Sequence, residues 1–239
     1  MKKFIFFLVL FFLSLSSYAT HNRAGEITYR WLGGNTYEVT ITTYTKNSVP
    51  ADRCLLTVDW GDTNTENLPR SNGASGTGCP SNAKLGELIS GTDIRLNIYK
   101  GVHTYSASGI YIISFEDPNR NLGVANIIQS VNVPFFVQTE LVVSSTLGGN
   151  NSVQLLNPPI NDGCTRKLFK HNPGAFDIDG DSLSYQLVLS RGSEGQQIPT
   201  IYDPAFVTDS IKIDALTGDL VWDLPQQIGQ FNFAIRINE

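Results

Sequence analysis

Residue types that dominate catalytic and metal-binding sites are scarce in this sequence. Its 239 residues include three histidines, three cysteines and one methionine. There is no GxSxG nucleophile motif, no HExxH zinc motif, no phosphate-binding glycine loop and no dinucleotide-binding fingerprint. We therefore predict that the chain is not an enzyme, although the paired carboxylates that hydrolyse glycosides leave no sequence motif.

Long apolar segments are also missing, with one exception at the N-terminus. Lys2 and Lys3 precede an apolar run over residues 4–15, and small or polar residues follow up to Ala19. The run is shorter than the roughly 20 residues that a membrane-spanning helix needs. Its organisation is that of a secretory signal peptide, which we predict over residues 1–19. The chain is then exported to the cell surface or the extracellular space, with no direct membrane span.

Positive charge is limited as well. The chain has 17 basic and 22 acidic residues, and residues 20–239 carry a net charge of −7 because the two charges before them are both lysines. This balance argues against nucleic acid or an anionic membrane as the main partner. An acidic chain is compatible with cation binding but does not require it.

The three cysteines suit an exported protein with one disulfide. Cys54 and Cys79 flank a loop rich in glycine, serine and asparagine, so we predict that they pair. Closing a loop of this length contributes about 3.5 kcal/mol in the chain-entropy model. Cys164 is then left as a free thiol, or it pairs with a residue outside this sequence.

No stretch has a sustained helical period, whereas alternation of apolar and polar residues recurs along the chain. In the segment Tyr37 to Tyr44, one face of a strand carries Tyr37, Val39, Ile41 and Thr43. Such patterns predict an all-β protein. Further strands are predicted at residues 26–32, 55–60, 94–100, 110–116 and 127–137.

A change of composition divides the chain. Residues 147–162 contain two glycines, four asparagines and two adjacent prolines, which is typical of a linker of limited flexibility. We predict two tandem immunoglobulin-like β-sandwiches after the signal peptide, over residues 20–146 and 163–239. The sequence stops directly after a predicted strand, so the second domain is either finished there or truncated at its C-terminus.

The most informative stretch is FDIDGDSLSY, which contains Asp177, Asp179 and Asp181. In an extended strand the first and last of these would lie about 13 Å apart, too far to share an ion. Gly180 permits the positive φ angle of a tight turn. Carboxylates brought to about 5 Å would repel by about 3 kcal/mol per pair at an effective dielectric of about 20. Ca²⁺ would relieve this repulsion, so we predict a structural calcium site.

An alternative for the same stretch is a solvated Asp-Gly turn whose aspartates point into water. An EF-hand is excluded, because Gly180 is at the fourth position of the loop and Val188 at the twelfth. Asn161 and Asp162 are candidates for additional ligands at the junction between domains. Asp214 is interpreted as a turn residue rather than a ligand.

Several motifs resemble known families. DIDGDSLSYQLV, IDALTGDLVWDLP and GQFNFAIRI resemble the cadherin-like immunoglobulin-type repeats of bacterial surface proteins. VDWGD at 58–62, VHTY at 102–105 and GIY at 109–111 are similar to the PKD-type sandwich, except that Thr63 stands where that pattern often has glycine. THNRAGEITYRW, EDPNRN, PFFVQTEL and HNPGAFDIDGDSLSY together resemble the gliding-motility-associated surface proteins of Bacteroidetes. Those proteins usually end in a type B sorting domain, which this sequence lacks.

The resemblance implies a non-catalytic cell-surface module with a structural or adhesive role, whose partner is a surface polysaccharide or another cell-surface protein. One alternative is a carbohydrate-binding module, in which Trp31, Trp60 and Trp222 form a sugar-stacking platform. Core packing of these tryptophans is the competing interpretation. A second alternative is that the chain supplies accessory domains of a larger secreted hydrolase. We interpret His103 in the HTY motif as structural, because no nucleophile motif accompanies it.

Overall fold

The computed structural model describes residues 22–49, 52–80, 82–118, 120–159, 162–199 and 211–239. The predicted signal peptide lies outside these ranges. The described chain is all-β, as predicted, and its named strands pair only in antiparallel fashion. Its only helices are two single turns of 3₁₀ type. No helix in these ranges has the length and hydropathy needed to cross a membrane.

The described residues of the N-terminal part form eight strands in two four-stranded sheets. The first sheet has the order β1-β2-β6-β5 and the second the order β4-β3-β7-β8. A 3₁₀ turn at Ser130–Asn132 precedes the last strand. The strands are β1 (Asn22–Gly33), β2 (Thr36–Lys46), β3 (Leu55–Asp59), β4 (Thr65–Pro69), β5 (Glu87–Leu88), β6 (Ile94–Thr104), β7 (Gly109–Asp117) and β8 (Phe135–Val143).

One hydrophobic core joins the two sheets of this sandwich. The alternation predicted for β2 is confirmed, since Tyr37, Val39 and Ile41 are fully buried. The strand predicted at 127–137 was wrong. There the chain forms turns, Gln129 adopts a left-handed φ of 51°, and the strand begins only after Pro134. Ile127 of this segment is buried and Ile128 is 69% exposed. An apolar run within turns resembles a short strand in sequence, because periodicity does not separate the two in so short a segment.

The three motifs that resemble a PKD-type domain lie together at one end of the sandwich. The Tyr105 hydroxyl donates to the carbonyl of Trp60 at 3.0 Å, and the His103 ring stacks on the Trp60 indole with centroids 4.8 Å apart. His103 Nε2 lies 2.8 Å from Asp62 Oδ2. Thr63 has a φ of 75°, a conformation that glycine adopts without the strain a β-branched residue incurs. These contacts give His103 a structural role.

The described residues of the C-terminal part form seven shorter strands in three small sheets. Their orders are β10-β14-β13, β12-β15 and β11-β9. A second 3₁₀ turn covers Ser193–Gly195. The strands are β9 (Gln154–Leu155), β10 (Phe169–His171), β11 (Ala175–Phe176), β12 (Ser184–Val188), β13 (Ile211–Ile213), β14 (Leu220–Trp222) and β15 (Ala234–Asn238). Tyr185, Leu220 and Trp222 are its buried large apolar residues.

Residues from the predicted linker are bonded to the edge of the first sheet. Ser152 donates its N–H to the carbonyl of Tyr29 at 3.0 Å, and its hydroxyl accepts the N–H of Tyr29 at 2.7 Å. The Asn151 side chain accepts the N–H of Trp31 at 2.9 Å. The chain then continues directly into β9. Residues 151–155 are therefore held on both sides rather than spanning freely between the two parts.

Arg120 forms a second connection between the two parts. Its guanidinium is buried and donates to the carbonyls of Val133 and Pro134 as well as to that of Arg191. It also bonds to the side chain of Asn232. The EDPNRN segment, which contains Arg120, thus contributes directly to the packing of one part against the other.

Candidate cation site

The DxDGD turn is built around one carboxylate. Asp177 follows β11, and its Oδ1 accepts the N–H groups of Asp179 and Gly180 at 2.8 Å and of Asp181 at 3.1 Å. Gly180 has the positive φ, 89°, that the sequence predicts for a curled backbone. The turn thereby bends the chain and brings one oxygen of Asp181 within 4.8 Å of one of Asp177.

Three carboxylates meet beside this turn. One oxygen each of Asp177, Asp181 and Glu239 lie within 4.8 Å of one another. Asp177 is only 8% exposed, and its Oδ2 is buried without a hydrogen-bond partner. At this separation two charges repel by about 3 kcal/mol at an effective dielectric of about 20. A buried carboxylate oxygen without a partner is costly, so the arrangement favours a cation at this point.

Two of the other predicted ligands, Asp179 and Asp162, lie outside this group of three carboxylates. Asp179 accepts the backbone N–H of Asn151 at 2.8 Å and its side-chain amide at 3.0 Å, so it holds residue 151 instead of joining the cluster. Asp162 is exposed and belongs to no group of three close ligands in the described ranges. Asn161 lies outside the described residues.

Asp214 is a turn residue, as its sequence context indicates. Its Oδ1 accepts the N–H groups of Leu216 at 2.9 Å and Thr217 at 2.8 Å. These hydrogen bonds stabilise the carboxylate and hold the pKa of Asp214 below its usual value. The turn supports β12 from one side, because the N–H of Tyr185 bonds to the carbonyl of Ala215 at 3.0 Å.

Glu239 is the member of the cluster that the sequence did not indicate. Burial raises the pKa of its carboxyl, and the charges of Asp177 and Asp181 raise it further. The N–H of Val153 at 2.7 Å and the side-chain amide of Asn150 at 2.6 Å act in the opposite direction. Both of these donors come from the segment that is docked on β1. The pairing of Ser184 with Asn238 explains why Glu239 reaches the turn.

The cluster also reaches the N-terminal sandwich. Tyr29 of β1 is buried, and burial followed by the charge of Glu239 raises the pKa of its hydroxyl. Asn150 bonds to the same hydroxyl, and Asp177 adds a further repulsive charge. The charges of the carboxylate cluster therefore act on β1 as well as on one another.

The ligand chemistry of the cluster suits a hard divalent cation. Three carboxylates supply anionic oxygen atoms, and Ca²⁺ accepts six to eight oxygens in flexible geometry. Two of the three residues, Asp181 and Glu239, are exposed, so water has access to complete a coordination shell. No histidine or cysteine belongs to the cluster, which disfavours zinc.

A second group of close ligand atoms consists of Asp52, Cys54 and Cys79. The two sulfur atoms form the disulfide that the loop composition predicts, with the Cα atoms 5.4 Å apart. Asp52 accepts two hydrogen bonds of 2.7 Å from the buried guanidinium of Arg70. The ion pair between Asp52 and Arg70 lies beside the disulfide and supports its loop. Because both sulfur atoms are in the disulfide, neither is available as a thiolate ligand. Cys164 is an exposed free thiol.

The three tryptophans do not form a common stacking surface. Trp60 and Trp222 are buried, as core packing requires, whereas Trp31 is 40% exposed. Its indole N–H donates to the carbonyl of Gly34 at 2.9 Å, and the ring lies against Gly149. A platform of all three rings is therefore absent.

Comparisons of the chain with protein-family models, with curated proteins and with solved structures found no match. The architecture defines the class of the chain as an all-β protein built from antiparallel sheets. The group of close carboxylates formed by Asp177, Asp181 and Glu239 is its most distinctive chemical feature.

Proposed function

We propose that this chain is a non-catalytic module of an exported cell-surface protein, with a structural or adhesive role. Ca²⁺ bound by Asp177, Asp181 and Glu239 stiffens the module. The observation that carries the calcium site is the buried, unpartnered Oδ2 of Asp177 next to two further carboxylates. The motif order described above supports a place among gliding-motility-associated surface proteins.

The position of the cluster supports a stiffening role. Glu239 bonds to Asn150 and Val153, and Asp179 bonds to Asn151. The same segment is bonded to β1 through Ser152. A cation that neutralises the cluster therefore acts on the segment that connects the two parts of the chain. Reduced motion at this point would keep successive modules of a surface protein at a fixed spacing.

Thermal unfolding with Ca²⁺ and with a chelator tests the calcium site. Because a ligand of the folded state raises apparent stability by mass action, we expect a higher midpoint in Ca²⁺. Asp181→Asn should reduce that shift. Asp179→Asn is the matched control, since it changes an exposed aspartate of the same turn that lies outside the cluster, and it should retain the shift. An unfolding midpoint of the wild type that is the same in Ca²⁺ and in chelator would contradict the proposal.

A further inference from the structure

A buried guanidinium lies beside the disulfide of the N-terminal sandwich. Arg70 follows β4 directly and is fully buried. Its Nε donates to the carbonyl of Lys84 at 2.7 Å, and its Nη1 donates to Asp52 Oδ1 at 2.7 Å and to the Asn97 side chain at 2.6 Å. Its Nη2 donates to Asp52 Oδ2 at 2.7 Å and to Cys79 Sγ at 3.6 Å. Because a guanidinium has five N–H groups, the sulfur of Cys79 accepts the fifth of them.

The two sulfur atoms of the disulfide differ in their surroundings. Asp52 Oδ2 lies 4.0 Å from Cys54 Sγ and 4.0 Å from Cys79 Sγ, so the charge of this carboxylate acts on both sulfurs alike. Arg70 donates to Cys79 and directs its other four N–H groups to oxygen atoms. Cys54 Sγ lies 3.8 Å from the carbonyl oxygen of Gly78. A negative charge is therefore better stabilised on Cys79 than on Cys54.

The charged groups beside the disulfide favour a thiolate at this point. Although burial alone would raise it, the hydrogen bonds and the charge of Arg70 hold the pKa of Asp52 below its usual value, so this carboxyl is ionised at neutral pH. Arg95 supplies a second cation, with its Nη1 3.6 Å from Asp52 Oδ2. These two guanidiniums and one carboxylate carry one net positive charge. A thiolate on Cys79 neutralises this charge, and an adjacent arginine lowers the pKa of a thiol.

We propose that the disulfide is a site of thiol–disulfide exchange, at which an external thiolate attacks Cys54 and Cys79 is the leaving group. Both cysteines are only half-buried. A new S–S bond joins the incoming sulfur to Cys54, the Cys54–Cys79 bond breaks, and its electron pair remains on Cys79 as a thiolate bonded to Arg70. The incoming sulfur is oxidised while Cys79 is reduced, so the step needs no other oxidant. The direction of attack follows from the leaving group, because the thiolate of lower pKa leaves faster.

The exchange makes Cys54 an attachment point for a thiol-bearing partner. It also opens the covalent loop of residues 55–78, whose two ends the disulfide joins. Arg70 keeps its bonds to Asp52 and Asn97 on either side of the broken bond. This site lies in the N-terminal sandwich, apart from the cation cluster, and goes beyond the function proposed above.

Trapping the mixed disulfide tests the proposal. The Cys164→Ser protein, which lacks the exposed free thiol, is treated briefly with mercaptoethanol and then with excess N-ethylmaleimide. Mass spectrometry of its peptides locates both labels. We expect mercaptoethanol on Cys54 and maleimide on Cys79 about tenfold more often than the reverse, because Arg70 stabilises only one of the two leaving thiolates. The same chain unfolded in urea should lose this preference, since unfolding separates Arg70 from the sulfur.

Two arginine variants provide a matched comparison. Arg70→Gln removes the cation beside Cys79 and should abolish the preference between the two sulfurs. Arg95→Gln makes the same change at an arginine that contacts Asp52 and Asn47, and it should retain the preference. The comparison of folded with urea-unfolded protein needs neither variant, so the proposal is tested even if Arg70→Gln does not fold.

Four results would overturn the proposal. Mercaptoethanol could be found equally on both cysteines of the folded protein, or mainly on Cys79. The preference for Cys54 could persist in urea, which would assign it to the local sequence instead of to Arg70. Folded Arg70→Gln could keep the wild-type preference. The folded protein could form no adduct under conditions in which the unfolded chain does, which would show that the disulfide is closed to external thiols.

Discussion

Asp177→Asn should have opposite effects on stability with and without Ca²⁺. The asparagine Oδ1 can still accept the three N–H bonds that shape the turn, at 2.8 to 3.1 Å in the wild type. The substitution removes the buried charge whose Oδ2 has no partner. The turn is therefore kept while the electrostatics of the cluster change.

The expected gain in stability of Asp177→Asn in chelator follows from the distances between the three carboxylates. Asp177 faces two other charges within 4.8 Å, and each pair repels by about 3 kcal/mol at an effective dielectric of about 20. Because Asp181 and Glu239 are exposed, solvent screening reduces this considerably. We expect Asp177→Asn to be about 2 kcal/mol more stable than wild type in chelator. For a chain of this size, that raises the unfolding midpoint by about 4 to 8 °C.

In the presence of Ca²⁺ the wild type should be more stable than the Asp177→Asn variant. The wild type gains stability from the bound ion, and the variant has lost its most buried ligand. Calorimetry of both proteins in chelator and at several Ca²⁺ concentrations measures the crossover. Asp179→Asn is the control for removal of a negative charge from the same turn. An Asp177→Asn variant that is less stable than wild type in chelator would refute the electrostatic reasoning, because it would assign the carboxylate a purely stabilising role.

Three further predictions concern stability. Thr63→Gly should stabilise the fold by about 1 kcal/mol, since a φ of 75° strains a β-branched residue; urea unfolding that shows no gain would contradict this. Burial raises the pKa of Glu26 to about 7 from 4.5, so the folded state retains a proton that the unfolded chain releases. The free energy of unfolding of the wild type should therefore fall by about 3 kcal/mol as pH rises from 4.5 to 7. In urea unfolding, the Glu26→Gln variant should not show this decrease. Arg120→Ala should cost about 3 kcal/mol in urea unfolding, because it leaves the carbonyls of Pro134 and Arg191 without their donor; Arg30→Ala, which removes an exposed ion pair, should cost less than 1 kcal/mol.

Local patterns predicted much of the fold because they act over a few residues. Alternation in β2 identified a strand whose inner face is fully buried. Composition identified the disulfide loop, and Gly180 identified the bend of the DxDGD turn. The same reasoning failed over the first part of the segment 127–137, which forms turns up to Pro134 before β8 begins. A short apolar run occurs in turns as well as in strands, so periodicity alone does not separate them.

The cluster of three carboxylates was only partly predictable from the sequence, because its third member depends on long-range register. Asp177 and Asp181 are four residues apart, and a turn is enough to unite them. Glu239 reaches them only because β15 runs antiparallel to β12 with Asn238 opposite Ser184. A shift of one residue in this pairing would turn Glu239 to the opposite face of the sheet. The Asp-rich turn therefore brings two carboxylates together, whereas the β12-β15 register decides whether a third one joins them. On the proposed calcium site, a variant that alters this register should lose the rise of the unfolding midpoint in Ca²⁺ even with every aspartate in place, and calorimetry with Ca²⁺ and with a chelator measures this.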